Sequence, residues 1–392
     1  PEMLTVPGEP RLLYVDGALS KGPTINGAIT PITSDYLRRL IRMASEAILG
    51  WEDVSLDPKR GLLALAGARL YMNLSSILHL VNQKRLIENA RFTDAMMAEV
   101  FETHDLEIYR PQRPLPSLRI LPLLFTVLKG LWRTRSLLFG IVAALFRRNT
   151  LSARYRTAVE SFEQAIAVQP DFELPIDAFL RHYYSKMSAV ARNATAPALI
   201  VFIYFGVQRL DRLIDQKSET QRALADSIKR GYSGDLVVEM GAMMFRLSTL
   251  LPPKAFTDID TLVHKLERRE LPETFLSAWD EFIHKFGCRG PMEMEIANPK
   301  YGDDPALAIR QIAAIAESGG TFDPRKIHQK HVEEREAAYA TLHAQLKGRK
   351  RRRLERCYRN IVEFGGTRDT PKYHIMMISK RVRERLLAQA DK

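Results

Sequence analysis

The chain is expected to be mainly α: a multi-helix domain with a small N-terminal β element, divided into two lobes. Three features lead there. Apolar residues recur at helical spacing through most of the chain from Ser34 onward. Extended-type runs are confined to the stretch before Leu74. Hydrophobic residues at 46% and charged residues at 27% give the composition of a folded chain rather than a disordered one.

The elements follow in order. Leu12-Leu13-Tyr14-Val15 reads as a short strand and 62–73 as a second one, with a glycine- and proline-bearing loop between them. Ser34 and Asp35 have the side chains to cap a helix over 36–49, and 89–103 places Phe92, Ala95, Met96 and Val100 on one helical face. Pro111, Pro114, Pro116 and Pro122 then break the pattern. This puts a lobe boundary between a β/helical lobe carrying a pocket loop, 1–110, and a helical lobe, 111–392. Further helices are expected over 150–167, 176–187, an apolar run from Ala198, 218–230, 235–251, 304–318, 329–356 and 371–390. No internal repeat is present, which argues against a solenoid.

Charge and cysteine usage narrow the setting. A formal net charge of +12 implies attraction to anions, whether nucleic acid, a membrane surface or a phosphorylated partner. Two cysteines, Cys288 and Cys357, exclude a disulfide scaffold and suit a reducing, cytoplasmic location. Residues 1–8 lack the charged start and apolar run of a signal peptide. Spanning a bilayer takes about 20 apolar residues. The uncharged run 193–208 is shorter and is bounded by Arg192 and Arg209, so it is expected as a core helix. The apolar run 120–146 is interrupted by Lys129, Arg133 and Arg135 and is expected as an amphipathic hairpin.

The chemistry concentrates in 286–301, Phe-Gly-Cys-Arg-Gly-Pro-Met-Glu-Met-Glu-Ile-Ala-Asn-Pro-Lys-Tyr. Gly287 and Gly290 permit tight turns and close approach of a ligand, Arg289 supplies a forked donor, and Lys300 a mobile point charge. Glu293 and Glu295 have three uses open to them: pairing with those cations, orienting a hydroxyl, or holding a divalent metal. A structural salt-bridge loop between two helices carries the same composition. The loop 26–33 adds hydroxyls and the Asn26 carboxamide beside apolar Ile29 and Ile32, a mixture that suits a pocket wall as well as a capped turn. The run Arg349-Lys350-Arg351-Arg352-Arg353 lacks interleaved aromatics and reads as a solvated helix face, so no nucleic-acid partner is expected. His328 and His331 have one-face spacing without a convincing third ligand, so no metal site is assigned. The methionines at 240, 243, 244, 376 and 377 read as helix core.

Four stretches together resemble one family. Asn26-Gly27-Ala28-Ile29-Thr30-Pro31-Ile32-Thr33 is similar to a "Gly-x-x-Thr-Pro-Leu-Thr" loop, and Gly67-Ala68-Arg69-Leu70-Tyr71-Met72-Asn73 to a "Gly-Arg-Leu-Tyr-x-Asn" strand. The 286–301 segment matches an aromatic-Gly-(His/Met)-Arg-Gly motif followed by an acidic pair, and 364–373 an "Arg-Glu-x-Pro-Lys-Tyr" helix start. In this collinear order they resemble the phosphoenolpyruvate synthase (pyruvate, water dikinase)-like family, which includes the rifampicin phosphotransferases. Cys288 departs from the family's His or Met, and Met292 from a small residue. No Gly-rich phosphate loop and no histidine in a phosphohistidine-type context occurs, so the family's ATP-grasp and swivelling phosphohistidine domains are not expected within this sequence.

The resemblance implies the central, acceptor-binding segment of an ATP-dependent phosphotransferase (kinase), inactive alone and served by those two partner domains. ATP and Mg2+ belong to the complete enzyme, with neither held by this segment. Arg289, Glu293, Glu295 and Lys300 are the implied catalytic residues: the cations neutralise phosphoryl charge and a carboxylate orients or deprotonates a small-molecule acceptor. Asn26, Thr30, Pro31, Thr33 and Arg69 are the implied substrate-binding residues, and Arg368 and Lys372 are to face the docking phosphohistidine domain. Replacing Arg289 by Ala is expected to lower turnover with little change in stability. The rival reading is a non-enzymatic basic helical module that uses 120–146 against a membrane surface or a partner protein.

Overall fold

The computed structural model describes residues 12–16, 27–44, 63–75, 78, 83–84, 86–87, 90, 95–109, 148–168, 172–319 and 323–390. Asn26 and the hairpin expected over 120–146 lie outside the described residues, as does the proline cluster after 110. The protein is mainly α with a small N-terminal β element, as expected.

The β element is a three-stranded antiparallel sheet. Strand β1 (Tyr14–Asp16) pairs with β3 (Arg69–Asn73), which pairs in turn with β2 (Leu63–Ala66). The single strand expected over 62–73 is thus a hairpin. Gly67 and Ala68 have φ of 56° and 58°, the left-handed pair that a two-residue hairpin turn requires, and the turn reverses the chain at the place the apolar pattern leaves unmarked. Between β1 and β2, helix α1 (Pro31–Ala44) begins earlier than expected. The Thr30 hydroxyl accepts from Thr33 N at 3.3 Å, so Thr30 rather than Ser34 or Asp35 caps it, with Pro31 at the first helical position where its missing N–H is harmless.

Helix α2 (Ala95–Thr103) falls within the expected 89–103, and α3 (Arg148–Ala167) matches 150–167. The helices expected over 176–187 and from Ala198 are one continuous helix, α4 (Ile176–Asp211), interrupted by π turns at Ala191–Thr195 and Ile203–Val207. Pro197 lacks the N–H that would reach Asn193 O. The Arg154 guanidinium donates to that carbonyl instead, at 3.2 Å, so the proline does not end the helix. At the second π turn Asn360 Nδ2 donates to Phe205 O at 2.9 Å. Helix α4 has the length and apolar composition of a membrane span, yet Ala198, Val201, Phe202, Val207 and Leu210 are buried within the protein.

The remaining helices are α5 (Glu219–Ile228), α6 (Leu236–Thr249), α7 (Ile259–Glu267), α8 (Glu273–Phe286), α9 (Pro305–Glu317), α10 (Pro324–Gln345), α11 (Gly348–Phe364) and α12 (Thr370–Ala390). Aspartates cap four of them: Asp235, Asp258, Asp304 and Asp323 each accept from first-turn amides, a contribution of about 1 kcal/mol apiece. The helix expected over 329–356 is two, because Leu346 is extended and Gly348 takes φ of 55°.

Two packed clusters position the site. One gathers α6, α7, α8 and α9 around Phe275, Phe282 and Phe286, with Tyr373 and Met376 of α12. The other joins Tyr36, Leu37 and Leu40 of α1 and Leu70 of β3 to Phe162 of α3, Phe179 and Tyr184 of α4, and Ile378 and Val382 of α12. Residues on both sides of the expected lobe boundary therefore share one core. Helix α12 contributes to both clusters, and so does the segment after α8, through Cys288 and Tyr301 in the first and Ile296 in the second.

Candidate functional site

The segment after α8 closes on itself before it holds anything else. Gly287 ends the helix, Arg289 N donates back to Phe286 O at 2.9 Å, Tyr301 N to Arg289 O at 2.8 Å, and Gly302 N to Gly287 O at 3.0 Å. Met292 has φ of 49°, the left-handed region that favours glycine, which is a physical reason for the small residue seen at this place in the family it resembles. Backbone geometry thus turns the chain so that Arg289, Glu293, Glu295 and Lys300 all point inward; each is buried.

Their charges are arranged in two layers. The Glu293 carboxylate is in ion contact with Arg289 Nε through one oxygen and with Lys372 Nζ, at 2.8 Å, through the other. The Glu295 carboxylate reaches the first turn of α1. It accepts from Thr30 N at 2.9 Å, Thr30 Oγ1 at 2.8 Å and Ala297 N at 2.9 Å, and from Thr33 Oγ1. Thr33 Oγ1 itself accepts from Ile296 N at 2.9 Å. Burial works to raise the Glu295 carboxyl, and the hydrogen bonds from Thr33, Thr30 and Ala297 outweigh it and hold it below the ordinary glutamate range.

Lys300 is spent on the loop. Its ammonium donates to Glu293 O and Glu295 O, both at 2.9 Å, and only 1% of the residue is exposed. Burial, with the nearby Arg383 charge, lowers it to about 8. Cys288 is likewise inward: burial pushes its thiol up to about 12 against the pull of Arg289, so the guanidinium does not activate it.

The expected residues therefore divide. Arg289, Glu293 and Lys372 form one bridge, while Glu295, Thr30 and Thr33 form a second connection between the loop and α1, with Lys300 bracing both carboxylates' backbones. Pro31 is exposed at the start of α1. Arg69 pairs with Asp16 at 3.4 Å and lies one residue from Ala68, whose carbonyl accepts from Ile29 N at 2.7 Å. Arg368 sits in the turn before α12, pairs with Asp369 at 3.4 Å and faces Tyr232 and Asp235 rather than Glu293. Among the described residues no group of three His, Cys, Asp or Glu side chains is placed to hold a metal ion.

Sequence reasoning missed Arg383. From α12 it donates to Ile296 O at 2.9 Å and Ala297 O at 2.8 Å and pairs with Asp303 at 2.9 Å, clamping the loop. It lies eleven residues after Lys372, three helical turns along one face, and that spacing was the available signal.

Residues 195–369 match the rifampicin phosphotransferase fourth domain. Over these residues, somewhat less than half of the chain, the protein carries a domain like that of the rifampicin phosphotransferases and consistent with the phosphoenolpyruvate synthase-like family, which points to part of a phosphotransferase-like protein. The match to this fourth domain takes in Arg289, Glu293, Glu295, Lys300 and Arg368, and leaves Thr30, Thr33, Arg69 and Lys372 outside it. A search of curated proteins finds no match to the chain.

Proposed function

We propose that this chain holds the phosphoryl acceptor in an ATP-dependent phosphotransferase, in which a histidine of a separate domain is phosphorylated from ATP and then delivers the group here. The bridge Arg289–Glu293–Lys372 carries this reading, because it brings two cations from separate elements onto one carboxylate at the seam between two cores. Transfer of a phosphoryl group depends chiefly on positioning and on neutralising charge spread over its oxygens. Arg289 supplies the forked donor, and Lys372, with 27% of its side chain exposed, supplies a cation that reaches the surface from which a partner domain arrives. In this reading Glu293 orients both and takes the acceptor's proton. Glu295, Thr30, Thr33 and Lys300 act through the loop's shape rather than on the phosphoryl group. Arg368, in the turn before the helix of Lys372 and paired with Asp369, has no part in this bridge. ATP and Mg2+ serve the complete enzyme.

The test uses the complete enzyme with ATP carrying a labelled transferable phosphate and a panel of hydroxyl-bearing acceptors. Label is expected to move from the phosphohistidine to an acceptor, and Arg289→Lys and Lys372→Met to slow that second step by roughly two to three powers of ten while leaving histidine phosphorylation intact. Transfer at the unmodified rate in both variants would overturn the assignment.

A further inference from the structure

Helix α11 carries an arginine stripe that, among the described residues, meets no acidic side chain, although Arg356 Nε donates to Arg352 O at 3.3 Å. Arg349, Arg352, Arg353, Arg356 and Arg359 recur at i, i+3, i+4, i+7 and i+10 and are all exposed, while Leu354, Cys357, Ile361 and Phe364 on the other side are buried. Lys347 and Lys350 extend the exposed face. Arg351 is occupied differently: its Nε donates to His343 O and Leu346 O, at 3.1 and 3.0 Å, closing the end of α10. The acid nearest in sequence, Glu355, is taken by His343 at 3.0 Å. Among the described residues none of the five stripe arginines forms an ion pair. The first turn contains no acidic residue, so Arg349, in that turn, has no carboxylate there to offset the macrodipole that disfavours a cation at this end. Among the described residues, then, this exposed arginine face has no acidic partner, and an anionic surface would complement it.

The adjoining helix completes the surface. The second π turn of α4 packs on α11 through Asn360, and the exposed Arg209 of α4 and Arg356 of α11 both direct charge at the Cys357 thiol between them. Beside Arg209 stand Phe205, whose ring its guanidinium overlies at 5.9 Å, and Tyr204, which is 54% exposed. Arginines with an exposed tyrosine at their edge are the combination that the headgroup region of a bilayer accommodates: long cationic side chains meet phosphates while the aromatic ring sits at the boundary. A single-stranded nucleic acid would instead call for free aromatics interleaved within the basic run; 349–353 has none, and Tyr358 is half-buried and stacked on Tyr339.

We propose that the arginine stripe of α11, with Arg209 and Tyr204 of α4 at its edge, docks the protein on an anionic phospholipid surface. This face is separate from the Arg289 site. Vesicle co-sedimentation of the full chain tests it, with vesicles of phosphatidylserine and phosphatidylcholine compared with phosphatidylcholine alone, at low and high salt. Binding is expected only to the anionic vesicles and to fall as salt rises. With about 1 kcal/mol per basic residue near the surface, Arg349→Gln, Arg352→Gln, Arg353→Gln and Arg356→Gln together lower partitioning by two to three powers of ten. The paired variants 349/352 and 353/356 each lower it in part, and Tyr204→Ser weakens the residual binding. A charge-matched control, with Lys254, Lys265, Lys326 and Lys330 changed to Gln, keeps binding. Equal loss in the control, equal binding to neutral vesicles, or tighter binding to a single-stranded oligonucleotide or an acidic protein than to anionic vesicles would overturn the proposal.

Discussion

Glu293 and Lys372 meet at 2.8 Å, and the other Glu293 oxygen is in ion contact with Arg289. One buried carboxylate thereby joins the loop after α8 to the first turn of α12, two segments that carry separate motifs of the sequence. The arrangement is both a brace and a pair of positioned cations, and experiments can separate the two roles.

Removing Arg289 tests the brace. The expectation that Arg289→Ala would leave stability unchanged does not survive its burial at 7% exposure and its pairing with a buried Glu293. Breaking a buried pair from one side costs about 3–5 kcal/mol, softened here because Lys372 still holds the carboxylate. Urea unfolding of Arg289→Ala should show a loss in or just below that range, whereas Arg289→Lys, which keeps the charge, should lose less than half as much. Equal unfolding midpoints for wild type and Arg289→Ala would refute a structural contribution.

The connection from Glu295 to α1 predicts a pH signature. Its carboxyl is held below the ordinary value in the folded state, so the stability it contributes is present above the unfolded value and is lost as pH falls through the folded one. Thr33→Val removes a hydroxyl that donates to Glu295 and accepts from Ile296 N. It should cost about 1.5–3 kcal/mol at neutral pH, since the lost hydrogen bond is to a charged group. That deficit should shrink when denaturation is repeated near pH 3, and a pH-independent deficit would show that the cost is packing alone.

His374 gives a second pH dependence with its own window. The residue is 2% exposed, its ring lies 4.3 Å from that of Phe162, and burial lowers it to about 4. Below the ordinary histidine value near 6.5 the unfolded chain takes up a proton that the folded chain resists, so stability falls as pH drops from about 6.5 towards 4. The loss should be on the order of 2–3 kcal/mol over that interval and should be absent from His374→Phe. Thermal melts of both proteins across the interval check it; parallel curves would place the acid sensitivity elsewhere.

Two turn positions make opposite predictions. A side chain on Gly366 would meet Ser233 O at 2.0 Å, a backbone atom without room to move, so Gly366→Ala should lower the melting temperature by many degrees or prevent folding. Ala68 occupies a left-handed conformation in the β hairpin turn, so Ala68→Gly should raise stability by up to about 1 kcal/mol. Circular dichroism melts of the two variants measure both effects, and a stabilised Gly366→Ala or a clearly destabilised Ala68→Gly would contradict the geometry.

The sequence by itself determined the mainly α class, most helix positions and the segment where the chemistry gathers. These are local properties: periodic apolar residues mark a helix face, Asp235 and Asp304 announce the amides they cap, and Gly287 and Gly290 mark a turn wherever it lies. Tertiary structure decided the rest. Pro197 does not end α4 because Arg154, distant in sequence, satisfies the carbonyl it orphans. Lys300 faces two backbone carbonyls of its own loop, whereas Lys372, on another helix, reaches Glu293. A side chain's charge and length are written at its own position, but its partner is set by which distant segment the two packed cores bring within hydrogen-bonding reach.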